Sequence, residues 1–299
     1  MKISVVVPDS GREEGVEKCL EGFAAQTISP DQFEVILISA NAQSLRARFG
    51  DRLQLIVAES ERVDLSAARN TAIRLATAPL VTLYSADLRP FPPLLEYCLN
   101  FHAEYPAVKH ACRLGFKADA SYNRLHPIPL RTATSLQSWQ TFLSESITCK
   151  AGLFQYGQFD PAYASMAGPE FALRLSRRVD LTLFYEHCLA GERTEPMEFR
   201  AACEAHYMAA YDEYRLACAY PGAVVHVPAK RIDKPAELRA LAATIRGMEN
   251  KPAEAESPRQ QMLTALYSRV EEHARAEGWA AAQTGEPPNP PGTLASLIK

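Results

Sequence analysis

The sequence predicts an α/β protein: a mostly parallel sheet flanked by helices, followed by a helical extension. Two observations predict the first part. Short apolar runs too brief for helices recur through it, among them Lys2–Val7 (KISVVV), Phe33–Ile38 (FEVILI) and Leu80–Tyr84 (LVTLY). Between them lie longer stretches with apolar residues near the 3.6 period, such as Leu65–Thr77 with Ala68, Ala72, Ile73, Leu75 and Ala76. Strand–helix–strand units at this spacing need crossovers, and crossovers make strands parallel.

Taken in order, Lys2–Val7 is a strand that stops at Pro8, and Arg12–Gln26 is a helix with Val16, Leu20, Phe23 and Ala24 on one face. Phe33–Ile38 and Leu53–Val57 are the second and third strands. The Leu65–Thr77 helix leads through Pro79 into the strand Leu80–Tyr84. Ser85-Ala86-Asp87 then leaves that strand, and Pro90, Pro92 and Pro93 keep the chain from resuming it. Pro92–Glu104 reads as a helix, Val108–Phe116 as a strand, Lys117–Thr134 as a long loop, Leu136–Leu143 as a short helix and Ser146–Lys150 as a strand. Pro169–Arg178 is an amphipathic helix with proline at its start, where a missing N–H costs least. Leu181–Tyr185 is the last strand expected.

After Arg193 the texture turns helical. Thr194 suits an N-cap, with Glu195 and Glu198 near the positive helix end, and the helix should reach about Ala219. Lys234–Asn250 and Pro258–Glu277 are two further helices, with Gly278 read as the residue that stops the second. Leu238, Leu241, Ile245 and Met248 suit one apolar face, and Leu263, Leu266, Tyr267 and Val270 the other. These faces are expected to pack on the first domain or on a second copy; a face left partly open would make the protein a homodimer. The expected organisation is a first domain over 1–226, a helical extension over 227–283 and a disordered or extended Pro/Gly-rich tail over 284–299.

Composition narrows the function. The chain has 299 residues, 47% of them hydrophobic and 22% charged, ordinary values for a soluble protein. A net charge of -3 gives no electrostatic case for nucleic acid or an anionic membrane. No apolar run approaches the length of a membrane helix, and the start lacks the apolar core of a signal peptide. Seven scattered cysteines without a C-x-x-C pair read as reduced thiols, hence a cytoplasmic protein. The glycine motifs of dinucleotide oxidoreductases, P-loop NTPases and α/β-hydrolases are missing. What stands out is Asp87, a carboxylate just beyond the end of a strand, where open α/β sheets place ligand chemistry.

Four stretches resemble family-2 glycosyltransferases of the GT-A fold. ISVVVPDSGREEGVEKCLEGFAAQT is similar to that family's first strand, Pro turn and first helix, and FEVILIS to its second strand. SAARNTAIRLATAPLVTLYSAD resembles its AARN phrase leading to D-x-D, and GLFQYGQFDPAYASMAGPEFALRL its acceptor-side phrase ending in Glu-Asp. FYEHCLAGERTEPMEFRAACEAHY looks like its strand-His segment, so the likeness covers about residues 2–220.

The resemblance implies a nucleotide-sugar donor, UDP-linked first of all, a transfer with inversion, and Mg2+ or Mn2+ beside the donor diphosphate. The acceptor, whether glycan, lipid-linked or protein, is not named by it. Pro8, Asp9 and Ser10 would wrap the nucleoside, with Ser39 and Asn41 where the family has aspartates, and Arg69 would lie near the nucleotide-side loop. Ser85 and Asp87 stand for D-x-D, so Asp87 would ligate the metal with His187 as partner. Counting forward from Phe159-Asp160, Glu170 falls on the catalytic base, which takes the acceptor's proton; counting back from FALRL puts the pair on Ala167-Gly168 and leaves no base, and the first count is preferred because Glu170 then opens a helix. Each has a plain alternative: Asp87 a turn residue, Glu170 a favourable first-turn charge, His187 a loop histidine. A protein that kept the fold and lost its carboxylates, to serve as a binding or scaffold module, is the competing expectation.

Overall fold

The structure, a computed structural model, describes residues 1–9, 13–59, 64–118, 135–142, 145–194, 199–224, 232, 235–249 and 258–288. The chain divides into two compact units, Met1–Pro196 and Met197–Lys299. That division falls before the expected boundary at 226, because the helix beginning at Phe199 shares a core with the later helices.

In the first unit, the strands are β1 (Ile3–Pro8), β2 (Phe33–Ile38), β3 (Leu55–Ala58), β4 (Leu80–Tyr84), β5 (Leu88–Pro90), β6 (His110–Lys117), β7 (Ser135–Gln137), β8 (Ser146–Lys150) and β9 (Thr182–Arg193). Among the described residues they form one mixed sheet in the order β3-β2-β1-β4-β8-β6-β9-β5, with β7 also against β9. β3, β2, β1 and β4 run parallel, so their carboxyl ends share one edge. The strands β1, β2 and β4 are buried at every position, which is why their apolar residues run on without alternation. Flanking helices are α1 (Glu13–Ala24), α2 (Ala42–Phe49), α3 (Leu65–Leu75), α4 (Leu94–Glu104) and α5 (Ala167–Val179). Asp64 caps α3 by accepting from the Ala67 N–H at 2.8 Å.

Two polar devices fix this sheet. At its amino edge the buried Glu34 accepts from Ser4 Oγ at 2.5 Å and from the Thr77 N–H and Oγ1 at 2.8 Å each. The chain therefore enters β4 in a fixed register against β1 and β2. Beyond α1, the amide of Gln26 donates to Phe91 O at 2.9 Å and accepts from the Leu95 N–H at 3.0 Å. It satisfies the backbone of the proline-rich turn that prolines cannot satisfy themselves.

Several expectations are corrected. Leu136–Leu143 is not a helix: β7 and a single 3-10 turn, Trp139–Thr141, occupy its described part. The chain does re-enter the sheet after Asp87, since Leu88–Pro90 pairs antiparallel with Arg193, Glu192 and Gly191. An edge strand tolerates Pro90, which has no N–H to give. β9 continues eight residues past the expected Tyr185, to Arg193. α2 went unread because its sequence, AQSLRARF, is short and polar.

The second unit contains α6 (Phe199–Ala219), α7 (Pro235–Glu249) and α8 (Pro258–Thr284). Cys203, Tyr207, Leu238, Leu241, Ile245, Leu263 and Val270 meet in one buried cluster, with Met248, Leu266 and Tyr267 packed on it. The faces that an open extension would offer to a second copy are thus covered. α8 passes through Gly278 instead of stopping there. A Cβ at Gly278 would run into the Tyr207 carbonyl of α6, so glycine is needed for close approach. The stop is Gly285, at φ 74°, with the Glu286 N–H returning to Ala281 O at 3.0 Å.

Candidate active site

β1 is where the strand order reverses: β2 and β3 lie to one side, β4 to the other. The crevice outside the carboxyl ends at such a reversal is the ligand position in open α/β sheets. The predicted residues Asp9, Ser39, Ser85 and Asp87 leave the sheet along this edge.

Pro8 ends β1 and is buried. Asp9, next to it, is 5% exposed, and its Oδ2 accepts from Ser39 Oγ at 2.6 Å. Ser39 Oγ in turn accepts from the Asn41 N–H at 3.1 Å, while the Asn41 residue stays exposed at the start of α2. The first strand therefore brings a carboxylate to the place where the second strand has none. Ser10 lies outside the described residues.

Beyond β4 a tight turn presents Asp87. The Ser85 N–H donates to Glu145 O at 2.8 Å, and Ser85 Oγ accepts from the Asp87 N–H at 3.3 Å. Gly15 of α1 lets the helix come up to this turn: a Cβ there would lie 3.3 Å from Ala86 O and 3.6 Å from Asp87 Oδ1. On the far side, the Thr194 N–H donates to Asp87 O at 3.0 Å. The backbone around Asp87 is thus held from three sides.

Arg193 faces that carboxylate. Its Nη1 lies 3.7 Å from Asp87 Oδ2 and its Nη2 lies 3.6 Å from Glu145 Oε2. The Arg193 side chain is 7% exposed, against 18% for Asp87 and 28% for Glu145. A second guanidinium, Arg69 of α3, is buried with its face 5.9 Å from the Phe159 ring. Burial lowers its pKa to about 10, and the charges of Glu145 and Asp64 oppose that fall, so it stays a cation at neutral pH. Its neighbour Asn70 is no surface residue: it donates to Phe159 O at 2.8 Å and accepts from the Phe159 N–H at 2.9 Å.

Glu170 sits in the first turn of α5, 2% exposed, and both its oxygens are engaged by one guanidinium. Arg174 Nε reaches Oε1 at 2.8 Å and Nη2 reaches Oε2 at 2.9 Å. Arg174 also donates to Gln158 O. Glu170 is thus tied through Arg174 into the phrase around Phe159. His187 lies within β9, but its side chain is outside the described residues.

A divalent cation fits poorly here. Among the described residues no three His, Cys, Asp or Glu side chains gather as a metal group. The two carboxylates available, Asp87 and Glu145, have a guanidinium bridging them, and its charge repels a second cation. Glu145 and Arg193 were missed in the sequence. Arg193 could have been found by carrying the last strand on through FYEHCLAGER; Glu145 could have been found only from strand pairing.

Over 101 residues the chain is 27% identical to glycosyltransferase AglE of Haloferax volcanii, covering 31% of this chain and 33% of that protein. Over 134 residues it is 28% identical to the validoxylamine A glucosyltransferase of Streptomyces hygroscopicus subsp. limoneus, covering 42% of this chain and 30% of that protein. The matched stretch thus spans about a third of each of these curated relatives. Among solved structures, S. aureus TarS in complex with UDP-GlcNAc aligns with a TM-score of 0.53 at 16% identity, over 96% of this chain and 93% of that one. The mannosyltransferase PcManGT of Pyrobaculum calidifontis, in complex with GDP-Man and Mn2+, gives 0.55 at 17%, over 99% and 78%. At these identities the two structures speak for the GT-A fold alone. The profile of the glycosyl transferase family 2 matches residues 4–156, just over half of the chain, and the chain belongs to that family.

Proposed function

We propose that the protein transfers a sugar from a nucleotide-sugar donor, UDP-linked, to an acceptor hydroxyl with inversion. One observation carries this reading: a buried carboxylate at the end of β1 and a charged cluster at the end of β4 flank the strand reversal. Asp9 with Ser39 suits the donor groups of a base or ribose, and the Asp87 cluster suits a diphosphate. The TarS complex with UDP-GlcNAc supports a UDP-linked donor, and PcManGT with GDP-Man makes GDP the competitor.

In the transfer, the bond from the anomeric carbon to the phosphate oxygen breaks and its electron pair leaves on the diphosphate. The acceptor oxygen bonds to the carbon from the opposite face, and its proton goes to Glu170. For Glu170 to serve, its pair with Arg174 has to open when the acceptor arrives. Six described cysteines are free thiols, which supports a reducing, cytoplasmic setting. No helix among the described residues is long and apolar enough to cross a membrane.

A second reading keeps Mg2+ or Mn2+ at Asp87 and His187; the Mn2+ bound by PcManGT favours it. A thermal-shift titration with UDP, GDP and dTDP, each with EDTA and with Mn2+, tests the proposal. UDP should raise Tm more than the other two, since a ligand of the folded state stabilises it. A shift that needs Mn2+ would select the metal reading. No shift with any nucleotide would leave a scaffold protein that keeps only the fold.

A further inference from the structure

The four charges around the β4 turn can be counted. Asp87 and Glu145 contribute two negative charges, and Arg193 and Arg69 two positive ones. A pair of carboxylates with one divalent cation reaches the same formal sum. Arg193 is built in rather than adventitious. It lies opposite Leu88 in the β5–β9 ladder, and Thr194 beside it holds the Asp87 backbone through its N–H and its hydroxyl. Two flanking contacts keep the strand's path: Tyr84 Oη donates to Ala190 O at 3.3 Å, and only glycine fits at 191 against Tyr84 and the Arg89 carbonyl.

Resting on the reading above, we infer that Arg193 is a built-in cation that takes the place of the divalent metal, so that the donor diphosphate binds without metal. Asp87 and Glu145 orient the guanidinium. A planar fork is matched to phosphate oxygens, and it holds its charge at any pH the protein meets. As the glycosidic bond breaks, the new charge on the leaving diphosphate develops next to Arg193.

Isothermal titration of the whole chain with UDP and with uridine tests this. In the wild type, UDP affinity should be the same in EDTA and in Mn2+. Arg193→Lys keeps a positive charge beside both carboxylates and loses the fork. It should weaken UDP by at least about tenfold and leave uridine unchanged. Arg193→Met removes the charge and leaves two facing carboxylates. Mn2+ should then raise the Tm of that variant and not of the wild type, and should restore the UDP binding that the variant loses in EDTA, which a merely structural arginine would not predict. UDP binding that needs Mn2+ in the wild type would overturn the inference while leaving the proposed function standing. Equal weakening of uridine and UDP in Arg193→Lys would overturn it too. Absence of UDP binding under every condition would instead sink the donor reading itself.

Discussion

His102, on the inner face of α4, shows how a buried polar residue shapes stability. It meets Thr148 Oγ1 at 3.1 Å, and burial, with Lys150 and His110 nearby, lowers its pKa to about 4. The unfolded chain takes up a proton near pH 6.5 and the folded chain resists until about 4, so stability falls as pH drops through that window. The loss reaches at most about 3 kcal/mol, and His102→Gln should flatten the acid slope of Tm against pH in that range. Glu170→Gln tests the base assignment. Turnover should fall by at least about a hundredfold with UDP binding unchanged. A large drop in Tm with UDP binding lost would make Glu170 a structural partner of Arg174. At this scale the sequence exposed residues whose place follows from a strand end, such as Asp9 and Asp87. It hid Arg193 and Glu145, because their partners are set by strand pairing across long loops. It gave no sign of the role of Asn70, whose side chain serves a backbone far away in sequence at Phe159.

Helix boundaries fail for a related reason: a glycine has more than one use. Gly278 looks like a stop and is instead a contact point, where α8 comes up against the Tyr207 carbonyl. Gly247 of α7 has nothing within 4 Å of the position its Cβ would take. The same substitution should therefore act in opposite directions. Gly247→Ala is expected to stabilise by about 0.5–1 kcal/mol, the usual helical gain. Gly278→Ala should destabilise by about 1–3 kcal/mol through overpacking. Urea denaturation followed by circular dichroism checks both. The buried strands were legible because continuous apolar runs need no partner to be recognised. β5 and the end of β9 were not, since β5 is a strand only by virtue of β9, and the end of β9 is set by its pairing with β5 and β6.

Across the whole molecule, the family profile stops at residue 156, and the candidate site does not. Its residues are drawn from Asp9 to Arg193, nearly the full length of the first unit. The sheet that gathers them pairs strands far apart in the chain, a topology that folds slowly because loops must close first. The strand carrying Arg193 is also the last of the described strands to be made. A growing chain therefore owns Asp9, Ser39 and Asp87 well before it owns the cation that faces Asp87. Chains stalled before residue 193 should gain no protease resistance from UDP, whereas chains long enough to have folded β9 should gain it. Until β9 docks, Asp87 and Glu145 are two like charges brought together by β4 and β8, and their repulsion works against the half-built sheet. Arrival of Arg193 turns that repulsion into attraction, so the last strand of the sheet holds together two that were made before it.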